Sequence, residues 1–271
     1  MSAATASADA WYVYGLRERA SAAPMAAPMA EAILPDSEVQ VLPAGGLAVL
    51  ASRVPRPLFD RLDPANRTAD PDWMGARVRA CHAVNAAAAA TEPFLPLAFG
   101  TLFSSLALLE DWLAPREAAL RAALARVAGH DEWRLALEAD AALHAGWLER
   151  HDPALRALAE SVAAAGQGTA FLLARRLDRA REAARAGHLA EAAAAVATAL
   201  DRAGLTVLAE ALAWNILAPR AAAADAPPAW SASLAPLAAE LAPTGLVLRL
   251  TGPWPAYAFA RAALAGEAAD A

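Results

Sequence analysis

Strand-like runs only a few residues long are set among much longer Ala/Leu/Arg stretches with helical spacing, and this alternation leaves the chain few folds to adopt. Short strands must pair into a sheet, and the helices must cover it, so the pattern specifies an α+β protein. Trp11 to Leu16 reads WYVYGL, an aromatic and β-branched run that suits a first strand. The Pro-punctuated stretch Ser21 to Ala32 follows as a short helix or loop. Val39 to Leu42 and Leu47 to Ala51 then flank Pro43-Ala44-Gly45-Gly46, a hairpin whose Gly pair provides positive φ. Pro71-Asp72 opens a helix through Ala90, with Met74, Val78, Cys81 and Val84 near helical spacing. Phe94 to Phe99 reads as another strand, interrupted by Pro96. Strand, short helix, hairpin, helix and strand in that order describe a ferredoxin-like α+β domain over residues 1–110.

The second half is expected to be a helix-rich α+β domain over residues 111–271. A long helix from about Ser104 to Ala128 connects the two, striped by Leu106, Leu109, Leu113, Leu120, Leu124 and Val127. Pro115 should kink or split it, and Gly129 should stop it. From Glu132 to Glu138 the chain alternates, with Trp133, Leu135 and Leu137 against Glu132, Arg134 and Glu138, as in a half-buried strand. Helices follow from Asp140 to about Leu200, punctuated by Gly166, Gly168 and Gly187-His188. Ala211 to Leu217 reads as a strand and Pro227 to Leu241 as helical. Leu246 to Thr251 reads as a strand ended by Gly252-Pro253. A chain of 271 residues can bury a core in each of two such domains.

Composition removes several functional classes. A mean hydropathy of +0.30 invites a membrane reading, but the Ala-rich runs are broken by Arg, Glu, Asp or Pro before the roughly 20 apolar residues a span requires. Met1 to Ala10 lacks the basic and apolar regions of a secretory signal, so the expected compartment is the cytoplasm. The net charge of −6 opposes a nucleic-acid surface. The chain has no Lys, so a Walker phosphate loop is not available, and no GxGxxG or GxSxG is present. A single Cys, Cys81, leaves no internal disulfide and reads as a small buried apolar group. His144 and His151 have the wrong spacing for a metalloenzyme helix and read as surface or capping residues. Adjacent carboxylates such as Glu110-Asp111 point apart and form no acid/base pair. No catalytic, cofactor-binding or metal-binding residues are assigned. The Arg175-Arg176 and Arg179 cluster reads as a solvated helix face, with docking of an acidic partner as the functional alternative.

Three stretches depart from the Ala/Leu/Arg background. They are Phe94 to Phe103 (FLPLAFGTLF), Gly129 to Leu135 (GHDEWRL) and Leu250 to Phe259 (LTGPWPAYAF). With the opening Tyr12-Val13-Tyr14-Gly15, they resemble the gas vesicle GvpL/GvpF family in order and spacing. Gly46 to Leu50 and His82 resemble family positions more weakly. Ala98, Ala256, Ala258 and Arg134 stand where the family pattern has Arg, Pro, Ser and Gly. The resemblance implies a two-domain α+β, non-enzymatic protein associated with gas vesicles. Its implied partners are the small hydrophobic shell protein and other gas vesicle accessory proteins. An assembly factor that covers the shell protein's apolar surface is one form of that role. A minor component retained on the finished shell is the alternative, and an enzyme of unknown type is a remote one.

Each motif has a physical reading. In Thr251, Gly252, Pro253, Trp254, Pro255, Tyr257 and Phe259, the prolines hold the chain extended and preordered. The aromatics then serve either as an anchor for a partner protein or as a clamp on the chain's own core. Leu95, Pro96, Phe99, Gly100, Thr101 and Phe103 read as structural, a buried strand running into a helix with Thr101 or Ser104 as cap. Glu132 and Trp133, in the second of these motifs, also read as structural, with Trp133 in the core.

Overall fold

The WYVYGL run does form a central strand, β1 (Asp9–Glu18), buried along almost its whole length as befits a strand with neighbours on both sides. In the computed structural model, which describes residues 9–19, 31–59, 70–221 and 227–269, β1 pairs with β3 (Leu47–Pro55) on one side. On the other it pairs with two short pieces, β4 (Leu95–Pro96) and β5 (Leu102–Phe103). The strand β2 (Gln40–Ala44) completes the order β2-β3-β1-β4, every pairing antiparallel, which is the ferredoxin-like arrangement. Gly45, at φ 59°, makes the β2–β3 turn, as its sequence position implies. Almost all of Ser21 to Ala32 lies outside the described residues.

Phe94 to Phe99 is not one strand. After Pro96 the backbone turns through Gly100, at φ 86°, before β5 begins. Thr101 closes the loop by donating its Oγ1 hydrogen to the Ala98 carbonyl at 2.7 Å. On its other side, β1 carries a bulge between Val13 and Gly15 in its pairing with β3. A Cβ on Gly15 would collide with the Phe94 ring and the Leu95 carbonyl, so only glycine fits there.

A short helix, α1 (Arg56–Phe59), and the long helix α2 (Pro71–Thr91) cover this sheet. Asp70 caps α2 by accepting the Asp72 N–H, and Pro71 occupies the first turn, where no N–H is needed. Cys81, Val84 and Ala88 pack against Tyr12, Tyr14, Ile33, Leu50 and Phe94. Tyr14 is fully buried and accepts the Ile33 N–H at 2.8 Å. Ser52 donates its hydroxyl hydrogen to the Glu38 carbonyl, so the 2.9 Å Tyr14–Ser52 contact has the phenol as donor. Burial raises the Tyr14 pKa, which keeps that proton in place. Tyr14→Phe should cost about 1–3 kcal/mol, because it orphans the buried Ile33 N–H. The urea midpoint should fall while the slope stays unchanged.

Pro115 splits the expected long helix into α3 (Leu106–Leu113) and α4 (Glu117–Val127), joined by a 3-10 turn at Ala114–Arg116. The cap is Ser105, whose Oγ accepts the Leu108 N–H, and neither Thr101 nor Ser104 serves. Leu109, Leu113, Leu120, Leu124 and Val127 are buried, but Leu106 is exposed. These helices are therefore not a connector. The chain divides into one unit of Met1–Glu132 with Pro253–Ala271 and a second of Trp133–Gly252, so the division expected at residue 110 falls inside the first unit. The reason is the leucine face of α4, which packs on β1 and β4.

In the second unit, β6 (His130–Ala139) continues from the alternating Glu132–Glu138 pattern. α5 (Ala141–His151), α6 (Pro153–Ala164) and α7 (Gln167–Arg202) follow, the first two capped by Asp140 and Asp152. α7 runs straight through Gly187-His188; a single helical glycine costs only about 1 kcal/mol, and its Ala-rich flanks are good helix formers. β7 (Thr206–Glu210) was not legible as a strand, and it pairs with β8 (Ala213–Pro219) through a turn with Ala211 at φ 45°. The helix α8 (Ala235–Leu241) is flanked by 3-10 turns at Ala229–Leu234 and Ala242–Thr244. The last strand, β9 (Leu246–Trp254), gives the order β7-β8-β6-β9. It passes through Gly252 and Pro253 instead of ending there, because an edge strand can lose a proline N–H without losing a ladder bond. Trp133, Leu135, Leu137, Val196, Trp214, Ile216 and Leu246 form the core. The final helix, α9 (Tyr257–Ala269), belongs to the first unit and packs on α4 and β4. Among the described residues, no helix is long and apolar enough to cross a membrane.

Candidate functional site

Most of the Pro/aromatic segment is turned inward. Pro255, Ala256, Ala258 and Phe259 are buried, and Tyr257 is half-buried. Gly252, at φ 135°, adopts a backbone that L-residues avoid. Before it, Thr251 and Gly252 are half-buried and Pro253 is exposed, and Trp254 is 38% exposed, with its indole edge-on to the His82 ring at 5.3 Å between centroids. The motif therefore combines a clamp with one outward aromatic. Ala256 and Ala258, at positions where the family pattern has Pro and Ser, occupy buried slots.

Two supports fix this segment, and the sequence marked residues of both without showing that they meet it. The first is Glu132, whose side chain was expected on the exposed side of an alternating strand. It is 4% exposed, and its Oε2 accepts the Ala258 N–H at 2.8 Å and the Phe259 N–H at 3.4 Å. A buried carboxylate on the free N–H groups of a helix start is stabilised by both the hydrogen bonds and the helix dipole. The second support is the Tyr257 hydroxyl, which accepts from Asn85 Nδ2 at 3.3 Å and lies 3.0 Å from His82 Nδ1. Burial pushes the Tyr257 pKa up to about 12. The phenol therefore keeps its proton, and its contact with His82 Nδ1 is a hydrogen bond in either imidazole tautomer. Glu132 carried a signal beforehand through the GHDEWRL motif and His82 as a weak family position, whereas Asn85 carried none.

The other expected residues are placed as follows. Leu95 and Pro96 are buried beside β1. Gly100 donates its N–H to Tyr12 Oη at 3.3 Å, and Phe99 meets the Tyr12 ring edge-on. Phe103 packs against Trp112. Trp133 lies in the core of the second unit. Thr251 Oγ1 lies 3.5 Å from the Arg134 carbonyl. Cys81 is buried, and desolvation raises its pKa, which disfavours the reactive thiolate.

His144 and His151 are not both surface residues. His144 is buried, with Nδ1 on the Thr244 carbonyl, whereas His151 bonds the Trp147 carbonyl. Their rings belong to a run of stacked pairs, His151–Trp147, Trp147–His188 and His188–His144, at 4.7, 4.6 and 5.1 Å. A surface groove of about 420 Å³ follows part of it. Among the described residues, no group of three or more His, Cys, Asp or Glu is placed to hold a metal ion. Burial, and the charge a neighbouring His144 would carry, hold the His188 pKa below its usual value, with Glu191 acting in the opposite sense. As pH falls, the unfolded chain takes up this proton before the folded one does. The contribution is therefore intact above about pH 6.5 and is lost progressively below it. Melting temperatures followed from neutral to mildly acidic pH should drop in that window, and His188→Gln should flatten the drop.

Comparison with known proteins adds three findings. Residues 10–261 match the family model described as gas vesicle synthesis protein GvpL/GvpF. Gas vesicle protein L2 of Halobacterium salinarum is 33% identical over 184 residues, covering 61% of this chain and 63% of that protein. The matched region thus spans less than two thirds of that relative's length. The crystal structure of GvpF from Anabaena sp. PCC7120 superposes with a TM-score of 0.64 at 14% identity, covering 93% of this chain and 98% of that one. GvpF from Microcystis aeruginosa gives 0.59, also at 14% identity and with the same coverage. At that identity the two structures speak for the fold alone.

Proposed function

Because the chain belongs to the gas vesicle GvpL/GvpF family and so takes part in gas vesicle formation, we propose that it acts as a non-enzymatic assembly protein that binds the small hydrophobic shell protein through Trp254. The observation that carries this reading is the exposure of Trp254, next to the exposed Pro253, at the edge of a segment whose later residues Pro255, Ala256, Ala258 and Phe259 are buried. Pro253 and Pro255 bracket it, and the His82 ring steadies it, so little side-chain freedom is lost on contact. An aromatic presented this way suits an apolar partner surface. A shell subunit must expose such a surface before it assembles, and a protein covering it would limit premature aggregation. Other gas vesicle accessory proteins are the further candidate partners, and the proposed location is the cytoplasm, in association with the vesicle.

The test is co-expression with the shell protein. The wild-type chain should hold the shell protein in solution and co-elute with it. Trp254→Ala should remain folded, with its melting temperature within a few degrees of wild type, and should release the shell protein to aggregate. A wild-type chain that elutes alone beside aggregated shell protein would sink the proposal.

A further inference from the structure

Two exposed helix faces on this chain complement each other in charge while both present apolar side chains. The first is on α7. At 100° per residue, Phe171, Leu172, Arg175, Arg176 and Arg179 fall within an arc of about 140°, on the side opposite the buried Leu177. Phe171 and Leu172 are 64% and 68% exposed. Arg175 lies over the Phe171 ring at 5.9 Å. Further along the same helix, Arg181 pairs with Glu149 and Asp178, and Arg185 with Glu182. Among the described residues, by contrast, Arg175, Arg176 and Arg179 pair with no carboxylate.

The second face is on α3. Leu109 and Leu113 turn inward, and Leu106, Leu108, Glu110 and Asp111 turn out. Leu108 is 52% exposed. Among the described residues, Glu110 and Asp111 pair with no basic side chain. Two unpaired carboxylates beside exposed leucines match three unpaired guanidiniums beside an exposed Phe and Leu.

We propose that the α7 face of one copy docks on the α3 face of a second copy. The two surfaces differ, so the contact is heterologous, and each pairing leaves one face of each kind unused. Such contacts close into a ring or continue as an open chain, and do not stop at a two-fold dimer. Leucine and phenylalanine contacts supply the apolar burial. The charges steer approach and fix which face meets which. Charge pairing also overcomes the general repulsion between chains of net charge −6.

Light scattering of the purified full chain across a concentration series tests this. The mass should rise with concentration at about 10 mM salt, where the Debye length is roughly 30 Å, and the rise should weaken at about 1 M. Arg175→Glu with Arg176→Glu should weaken association at least tenfold, and so should Glu110→Arg with Asp111→Arg. Mixing the two variants should restore it, because reversed faces then meet reversed faces. Phe171→Ser with Leu172→Ser should also weaken it, with no change in charge. Circular dichroism confirms that these surface variants remain folded. A chain that stays at single-chain mass at low salt overturns the proposal, as does association that ignores both charge reversals. A mixture that stays apart overturns the assigned pairing.

Discussion

Glu132→Ala should destabilise the first unit by about 3 kcal/mol, visible as a melting temperature lower by roughly 5–10 °C. Glu132 is almost fully buried and accepts the N–H groups of Ala258 and Phe259 at the start of α9. Removing it leaves those donors unpaired away from water, and hydrogen bonds to a charged acceptor are each worth about 1.5–3 kcal/mol. Glu132→Gln keeps one acceptor oxygen of the same shape and gives up the charge on the helix dipole. Its loss should be clearly smaller than that of Ala. Equal losses for the two variants would show that the charge, and not the hydrogen bonds, carries the effect.

A second substitution, Glu92→Ala, should cost about 3–5 kcal/mol. Arg17 sits on β1 with a side chain only 2% exposed, and its guanidinium pairs with Glu92 at the C-terminal end of α2. Burial disfavours the charged form of Arg17 and lowers its pKa, but an arginine does not discharge at accessible pH. Taking away the carboxylate therefore strands a buried charge, the most costly way to break such a pair. Chemical denaturation of the single variant and of Glu92→Ala with Arg17→Met would measure it. The double variant should recover much of the loss, since an apolar side chain of similar length needs no partner in that position. A single variant within about 1 kcal/mol of wild type would mean that water reaches Arg17.

The fold was legible where local chemistry and tertiary demand agree. Trp11 to Leu16, the Gly45-Gly46 hairpin, the Pro71-Asp72 helix start and the Pro115 break all lie where the sequence places them. It misled where long-range packing decides. Gly187-His188 looks like punctuation, but α7 is continuous, held by contacts that pack Leu177, Ala192, Val196 and Leu200 into cores. Thr206–Glu210 has little strand signal and pairs because β8 is beside it. At the candidate site, the C-terminal motif stood out by composition alone. Its supports were marked only as separate residues, Glu132 within the GHDEWRL motif and His82 as a weak family position, because they and Asn85 are distant in sequence and meet the motif only through the fold. Alternation placed Glu132 on an outer face because period-two reasoning knows one partner layer and cannot see a helix returning over the other side.

That return of the chain has a consequence for the order of synthesis. The first unit combines residues before Trp133 with residues after Gly252, so α9 is made after the second unit, which is continuous from Trp133 to Gly252. During translation the second unit has all its residues while the first still lacks the helix that satisfies Glu132 and covers α4. A chain cut after Gly252 would represent that stage: it keeps every residue of the second unit and leaves the first with a carboxylate and an apolar face that α9 does not cover. Limited proteolysis of that shortened chain should therefore spare the second unit and digest the N-terminal sheet, which becomes resistant only when α9 is present.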